Sequence, residues 1–107
     1  MESHDEKLQE MQMLEQNLQN ILMQKQAFQM ELSETESAFE EIKTAGDEVF
    51  KIIGQLMIKT EKAKMQEELE NKKKILELRI QAFDKQESTL AEKLTRLRDE
   101  LLKSTKK

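Results

Sequence analysis

Twenty-two carboxylates, a single histidine and a run of three lysines are the side chains from which this 107-residue chain could build chemistry. General acid–base catalysis needs carboxylates held in an enclosed site that moves their pKa values apart. Here they alternate with Lys and Gln along polar stretches that enclose no pocket, and they read as solvated faces. His4 lies in the polar segment MESHDEKLQE and reads as solvent-exposed, not as a metal ligand or a base. Without Cys there is no thiolate site, nucleophile or disulfide framework, and the redox compartment stays undetermined. No Gly-rich phosphate loop, HExxH pair or Ser, His and Asp constellation is present. We therefore expect no enzyme, no cofactor and no metal.

Lys72, Lys73 and Lys74, with Lys103, Lys106 and Lys107 in the tail, are the residues that could hold phosphates. Acidic neighbours dilute them and no aromatic residue interleaves them, so they read as a solvated helix face and no nucleic-acid partner is expected. The seven methionines carry more weight. Met11 and Met13 stand with Leu8, Leu14, Leu97, Leu101 and Leu102 near the two ends of the chain. Flexible apolar side chains at a splayed tip would form an adaptable surface for non-native polypeptide. For Met11, Leu14, Leu97 and Leu101 the alternative is that they are ordinary residues of a helical seam, whereas Met13 and Leu102 fall off that seam.

The elements that would position these residues are mostly helical. With 36% apolar and 37% charged residues, no Trp, no Tyr, no Pro and only four Phe, the composition is that of a long helix or coiled coil. Met11, Leu14, Leu18, Ile21, Phe28, Leu32, Phe39 and Ile42 fall on one 3-4 alternation, with Lys25 and Thr35 in the remaining slots. Leu8, Leu22 and Met23 widen the stripe. A helix is expected over 8–45, roughly 57 Å at 1.5 Å per residue, with residues 1 to 6 frayed and Gly46-Asp47 as the stop. Ser33 and Glu36 match a capping box, but the seam runs through them in phase.

A second helix is expected from an N-cap at Thr60 to about 104, with Met65, Leu69, Leu76, Ile80, Phe83, Leu90, Leu94, Leu97 and Leu101 on its apolar side. Leu69, Lys72, Leu76 and Ile80 contain two consecutive steps of four, a phase slip. Equal arms joined by a short turn region fold back antiparallel. Residues 1–48 carry net charge −9 and residues 61–107 carry +3, so the arms attract. Exposed pairs contribute only about 0.5 kcal/mol each and select orientation more than they stabilise.

Between the arms the helical pattern breaks. Val49, Phe50, Ile52 and Ile53 precede Gly54-Gln55, and Leu56, Met57 and Ile58 follow. Two β-branched, apolar runs around a dipeptide with Gly first signal a hairpin with a type II′ turn, its strands at Val49–Ile53 and Leu56–Thr60. A lone hairpin is marginal in water, and this one is apolar on both pleat faces, so the missing strands are expected from other chains. The fold class is thus all-α dominated, an antiparallel two-helix coiled coil with one central β-hairpin that joins an intersubunit β-barrel. It forms a single domain over 1–107, with segments 1–46, 47–60 and 61–107. No run approaches 18 apolar residues and the N-terminus is acidic, so neither a membrane span nor a signal peptide is expected, and the chain is read as cytosolic.

The order of long helix, one short hairpin and long helix, carried by ILMQKQAFQMELSETESAFEEI, DEVFKIIGQLMIKT and ELENKKKILELRIQAFDKQE, resembles the β-class subunit of archaeal-type prefoldin. The resemblance spans Met11 to Leu102. About 15 residues between the helices accommodate one hairpin, where an α-class subunit would carry two. The resemblance implies an ATP-independent chaperone of two α-class and four β-class subunits whose hairpins form a barrel platform. It also implies that coiled-coil tips capture unfolded clients and pass them to a group II chaperonin in the cytosol. Carried onto this chain, Val49, Phe50, Ile52, Ile53, Leu56, Met57 and Ile58 would assemble the platform. Leu8, Met11, Met13, Leu14, Leu97, Leu101 and Leu102 would face clients. The acidic N-terminal segment departs from the Gln-rich lead-in of the family. The rival readings are a structural or tethering coiled coil that binds no client, and a nucleic-acid-binding coil built on the lysines. A tether has no reason to interrupt its heptads with two apolar strands.

Overall fold

A computed structural model describes residues 4–105 of the chain, in the order α1 (His4–Lys43), β1 (Glu48–Ile53), β2 (Leu56–Glu61) and α2 (Lys62–Thr105). Lys106 and Lys107, and the first three residues of the segment expected to fray, lie outside the described residues. The chain divides into two compact units, one made of Met1–Ala27 and Ile80–Lys107, the other of Phe28–Arg79.

In the first unit the segments of α1 and α2 run antiparallel, with Lys7 Nζ 3.5 Å from Glu100 at one point and Lys25 Nζ 2.6 Å from Asp84 at another. Met11, Leu14, Leu18, Ile21 and Lys25 of α1 are half-buried, opposite Ile80, Phe83, Leu90 and the buried Leu94, Leu97 and Leu101 of α2. This is the spacing read from the sequence. The start of α1 differs: His4, Asp5 and Glu6, expected to fray, are helical. Asp5 and Glu6 stand in the first turn, where a negative charge meets the positive end of the helix dipole. Apolar periodicity does not register that contribution.

The second unit holds the hairpin and the adjoining halves of both helices. Phe28, Leu32, Phe39 and the buried Thr35 and Ile42 continue the α1 seam without a break at Ser33. Thr35 is tolerated there because its Oγ1 donates to the Glu31 carbonyl at 2.8 Å, which leaves the methyl for packing. On α2, Met65 and Leu69 are half-buried and Leu76 is the most deeply buried apolar side chain among the described residues. Lys73, not Lys72, fills the intervening slot: Lys73 is half-buried and Lys72 exposed. The two consecutive steps of four therefore fall at Met65, Leu69 and Lys73, one heptad earlier than expected. Lys72 instead reaches Glu31 of α1 at 3.3 Å.

The ends of the helices also depart from expectation. α1 stops at Lys43, and Gly46 does not take the left-handed conformation of a C-cap glycine. Thr44 and Ala45 donate back to the carbonyls of Glu41 and Ile42 at 3.2 and 3.1 Å. Lys62 Nζ donates to the carbonyls of Lys43 and Ala45 at 3.0 and 3.1 Å, so the first residue of α2 satisfies the last carbonyls of α1. Thr60, expected as an N-cap, is a strand residue paired with Val49, and β2 continues to Glu61. Its ladder bonds outcompete the cap.

Candidate functional site

The hairpin is set by a two-residue turn. Gly54 has φ of +60° and Gln55 has no positive φ, the signature of the type II′ turn whose twist suits tightly paired strands. The register pairs Ile53 with Leu56, Ile52 with Met57, Lys51 with Ile58, Phe50 with Lys59, Val49 with Thr60 and Glu48 with Glu61. Alternation places Val49, Lys51, Ile53, Leu56, Ile58 and Thr60 on one face and Glu48, Phe50, Ile52, Met57, Lys59 and Glu61 on the other. The first face leans on α2 at its root, where Lys51 Nζ donates to Glu68 at 2.9 Å and Val49 and Thr60 are half-buried. On the second face Lys59 pairs with Glu48 at 2.9 Å, offsetting the repulsion of Glu48 and Glu61 across the ladder.

What the hairpin does not do is bury its apolar side chains. Phe50, Ile52, Leu56 and Met57 are 62 to 72% exposed, and Ile53 and Ile58 are 50 and 43% exposed. Six large apolar residues within nine positions form a contiguous patch on both faces of a two-stranded sheet with two open edges. Full burial of such a side chain stabilises by about 1.5–3 kcal/mol, so the patch is a large unrealised source of association energy.

The ends of the arms in the first unit carry the other candidate residues. The ion pair of Lys7 with Glu100 brings the first turns of α1 beside the last turns of α2. Leu97 and Leu101 are buried in the seam, and Met11 and Leu14 are half-buried in it. Leu8, Met13 and Leu102 are 41, 67 and 53% exposed. Of the seven residues proposed to face a client, these three present their side chains to solvent, and the seam supports them.

A chain that places an apolar hairpin of this register between two antiparallel helical arms matches the family model described as prefoldin subunit over residues 5–107. The chain belongs to the prefoldin family, as a β-class subunit. It is 45% identical over 85 residues to the prefoldin subunit beta of Thermococcus onnurineus, a match covering 78% of this chain and 73% of that protein. The corresponding subunit of Sulfurisphaera tokodaii is 38% identical over 86 residues, covering 78% and 69%. The crystal structure of the prefoldin beta subunit from Thermococcus strain KS-1 superposes with a TM-score of 0.90 at 35% identity, covering 97% of this chain and 93% of the other. Prefoldin subunits make up a chaperone family, not an enzyme family. Among the described residues no helix is long and apolar enough to cross a membrane.

Two features of this prefoldin subunit were not read from its sequence. Lys25, placed only as a polar seam position, bridges Asp84 and Glu87 of α2 at 2.6 and 3.0 Å. The hydrogen bond to Asp84, then that to Glu87, holds its ammonium above the ordinary lysine range. A polar seam residue with partners at one register disfavours its neighbours. The second is a groove of about 580 Å³ on one flank of the same unit, walled by Asn17, Asn20 and Gln24 of α1 and by Lys85, Gln86 and Thr89 of α2. Half-buried Ile21 and Leu90 also line it. The legible signal was an uncharged run, for between Glu15 and Glu31 the only charged residue is Lys25.

Proposed function

We propose that this chain is one subunit of an ATP-independent chaperone that holds non-native polypeptides at the ends of its arms. Its hairpin supplies strands to a barrel shared with an α-class subunit and further copies of itself, two and four in the assembly that the resemblance implies. The observation that carries the reading is the exposure of Phe50, Ile52, Ile53, Leu56, Met57 and Ile58 on a sheet with open edges. A chain whose only function was to tether would bury or charge such a hairpin. Partner strands remove those edges and cover the patch, and the arms are left to project their ends.

At those ends Leu8, Met13 and Leu102 make the first contact with a client, and Met11, Leu14, Leu97 and Leu101 join it when the seam loosens. Transfer to a group II chaperonin in the cytosol follows, with no nucleotide, metal or other cofactor taking part and no nucleic acid or membrane as partner. The test is aggregation of a heat-unfolding enzyme, followed by light scattering, with the assembled protein and with a Leu8→Ser, Met13→Ser, Leu102→Ser variant. Suppression by the native protein and its loss in the variant are expected. Undiminished suppression by the variant, or by a form shortened at both tips, refutes the assignment of these residues.

A further inference from the structure

The groove on the flank of the first unit shares no lining residue with the hairpin patch or with the residues assigned to the arm ends. In a chain with 37% charged residues, residues 16–30 of α1 carry no charge but Lys25, and Lys25 is held in the seam by Asp84 and Glu87. Met13, Asn17, Asn20 and Gln24 follow one another at steps of four, three and four, which places them in a single row along the helix. The last three form the α1 wall of the groove, opposite Lys85, Gln86 and Thr89. Thr89 Oγ1 donates to the Lys85 carbonyl at 3.0 Å and keeps its lone pairs for an incoming donor.

Each Asn or Gln amide offers two N–H donors and a carbonyl acceptor, the same groups as a peptide bond and in complementary roles. A wall of amides therefore hydrogen-bonds a polypeptide backbone without regard to its sequence. Ile21 and Leu90 add an apolar lining that takes side chains of any shape. Charged walls would select clients by sign, and these walls are neutral apart from Lys85. The row begins at Met13, one of the exposed residues assigned to client contact.

We propose that this groove binds an extended segment of non-native polypeptide through its backbone, continuing inward from the contact made at Met13. The proposal rests on the client-binding function proposed above and extends it to a new surface.

The test uses the full chain in its assembled form, with a benzophenone amino acid introduced singly at Met13, Asn20, Gln24, Gln19 or Gln26. Gln19 and Gln26 are exposed and, by helical spacing, lie on the opposite flank of α1. The probe is fluorescently labelled, reduced and carboxymethylated α-lactalbumin, which cannot refold. Expected are cross-links to the probe at Met13, Asn20 and Gln24, several-fold stronger than at Gln19 and Gln26. In parallel, Asn17→Ala, Asn20→Ala, Gln24→Ala together should weaken probe binding about tenfold, the effect of losing two or three modest hydrogen bonds. Alanine is the best helix former, so the arm stays helical, and Gln19→Ala, Gln26→Ala serves as the control.

Cross-links at Met13 alone overturn the groove and leave client capture standing. So do cross-links at Asn20 and Gln24 that join copies of this chain. Equal cross-linking on both flanks also overturns it. Absence of cross-links at every position, together with no suppression of aggregation by the native protein, removes the underlying function as well.

Discussion

Replacing Ile52 by Asp separates assembly from folding because of where Ile52 sits. It lies one pair behind the turn, opposite Met57, and is 72% exposed in the chain by itself. At about 1.5–3 kcal/mol for complete burial of an aliphatic side chain, it has about 1–2 kcal/mol still to gain when partner strands cover it. Aspartate forfeits that gain and places an unpaired carboxylate against an apolar surface, which adds a desolvation cost of at least a similar size. The combined loss is about 3 kcal/mol or more per subunit, about a hundredfold or more in each contact's equilibrium constant. In the free chain the same substitution removes no buried contact and costs at most the strand preference, about 1 kcal/mol. Analytical ultracentrifugation and far-UV circular dichroism read the two quantities separately. A shift to low mass with helical content preserved is expected. Full-mass assembly by the Asp variant would refute the burial of this face between subunits, and loss of helix would show that the hairpin holds the arms together.

Three further outcomes are expected. Leu76→Ala, at the most deeply buried apolar position described, should lower unfolding stability by about 2–5 kcal/mol, against less than about 0.5 kcal/mol for Leu78→Ala at a 65% exposed site; equal urea midpoints would contradict the seam. Gly54→Ala should cost about 1–2 kcal/mol from the positive φ alone, since nothing lies within 4 Å of an added Cβ, and a D-alanine there should restore stability; an L-alanine as stable as glycine would contradict the type II′ turn. Lys25 titrates above its ordinary value of 10.5, so its pairing is fully present below that pH and is lost only as pH rises through the higher folded value. The melting temperature of the native protein should therefore fall more steeply above pH 10.5 than that of Lys25→Met, and parallel profiles would contradict the pairing with Asp84 and Glu87.

The parts of this molecule legible in its sequence are those governed by period. Each α1 seam position from Met11 to Ile42, Lys25 and Thr35 included, is buried or half-buried, because heptad spacing alone decides which side of a helix faces its partner. The hairpin was equally legible, since Gly54 between β-branched runs admits few alternatives. What stayed hidden depends on contacts remote in sequence. Lys62 closes the end of α1 from 19 residues away, which no reading of Gly46 could supply. Lys72 and Lys73 differ by one position and nothing local distinguishes them; Lys73 is half-buried, whereas Lys72 is exposed and pairs with Glu31 across the helices. Leu97 and Leu101 have the same composition as a sticky tip, and their burial is visible only once the arms are paired.

The central claim is that exposed hairpin strands build an assembly whose arms hold unfolded protein. The direct measurement is mass in solution, alone and mixed with an α-class prefoldin subunit, taken together with suppression of aggregation by the same sample. A multi-subunit species containing both chains, active in suppression, is the result expected. A stable monomer under both conditions would contradict the assembly, and a complete assembly that leaves aggregation unchanged would contradict the chaperone function.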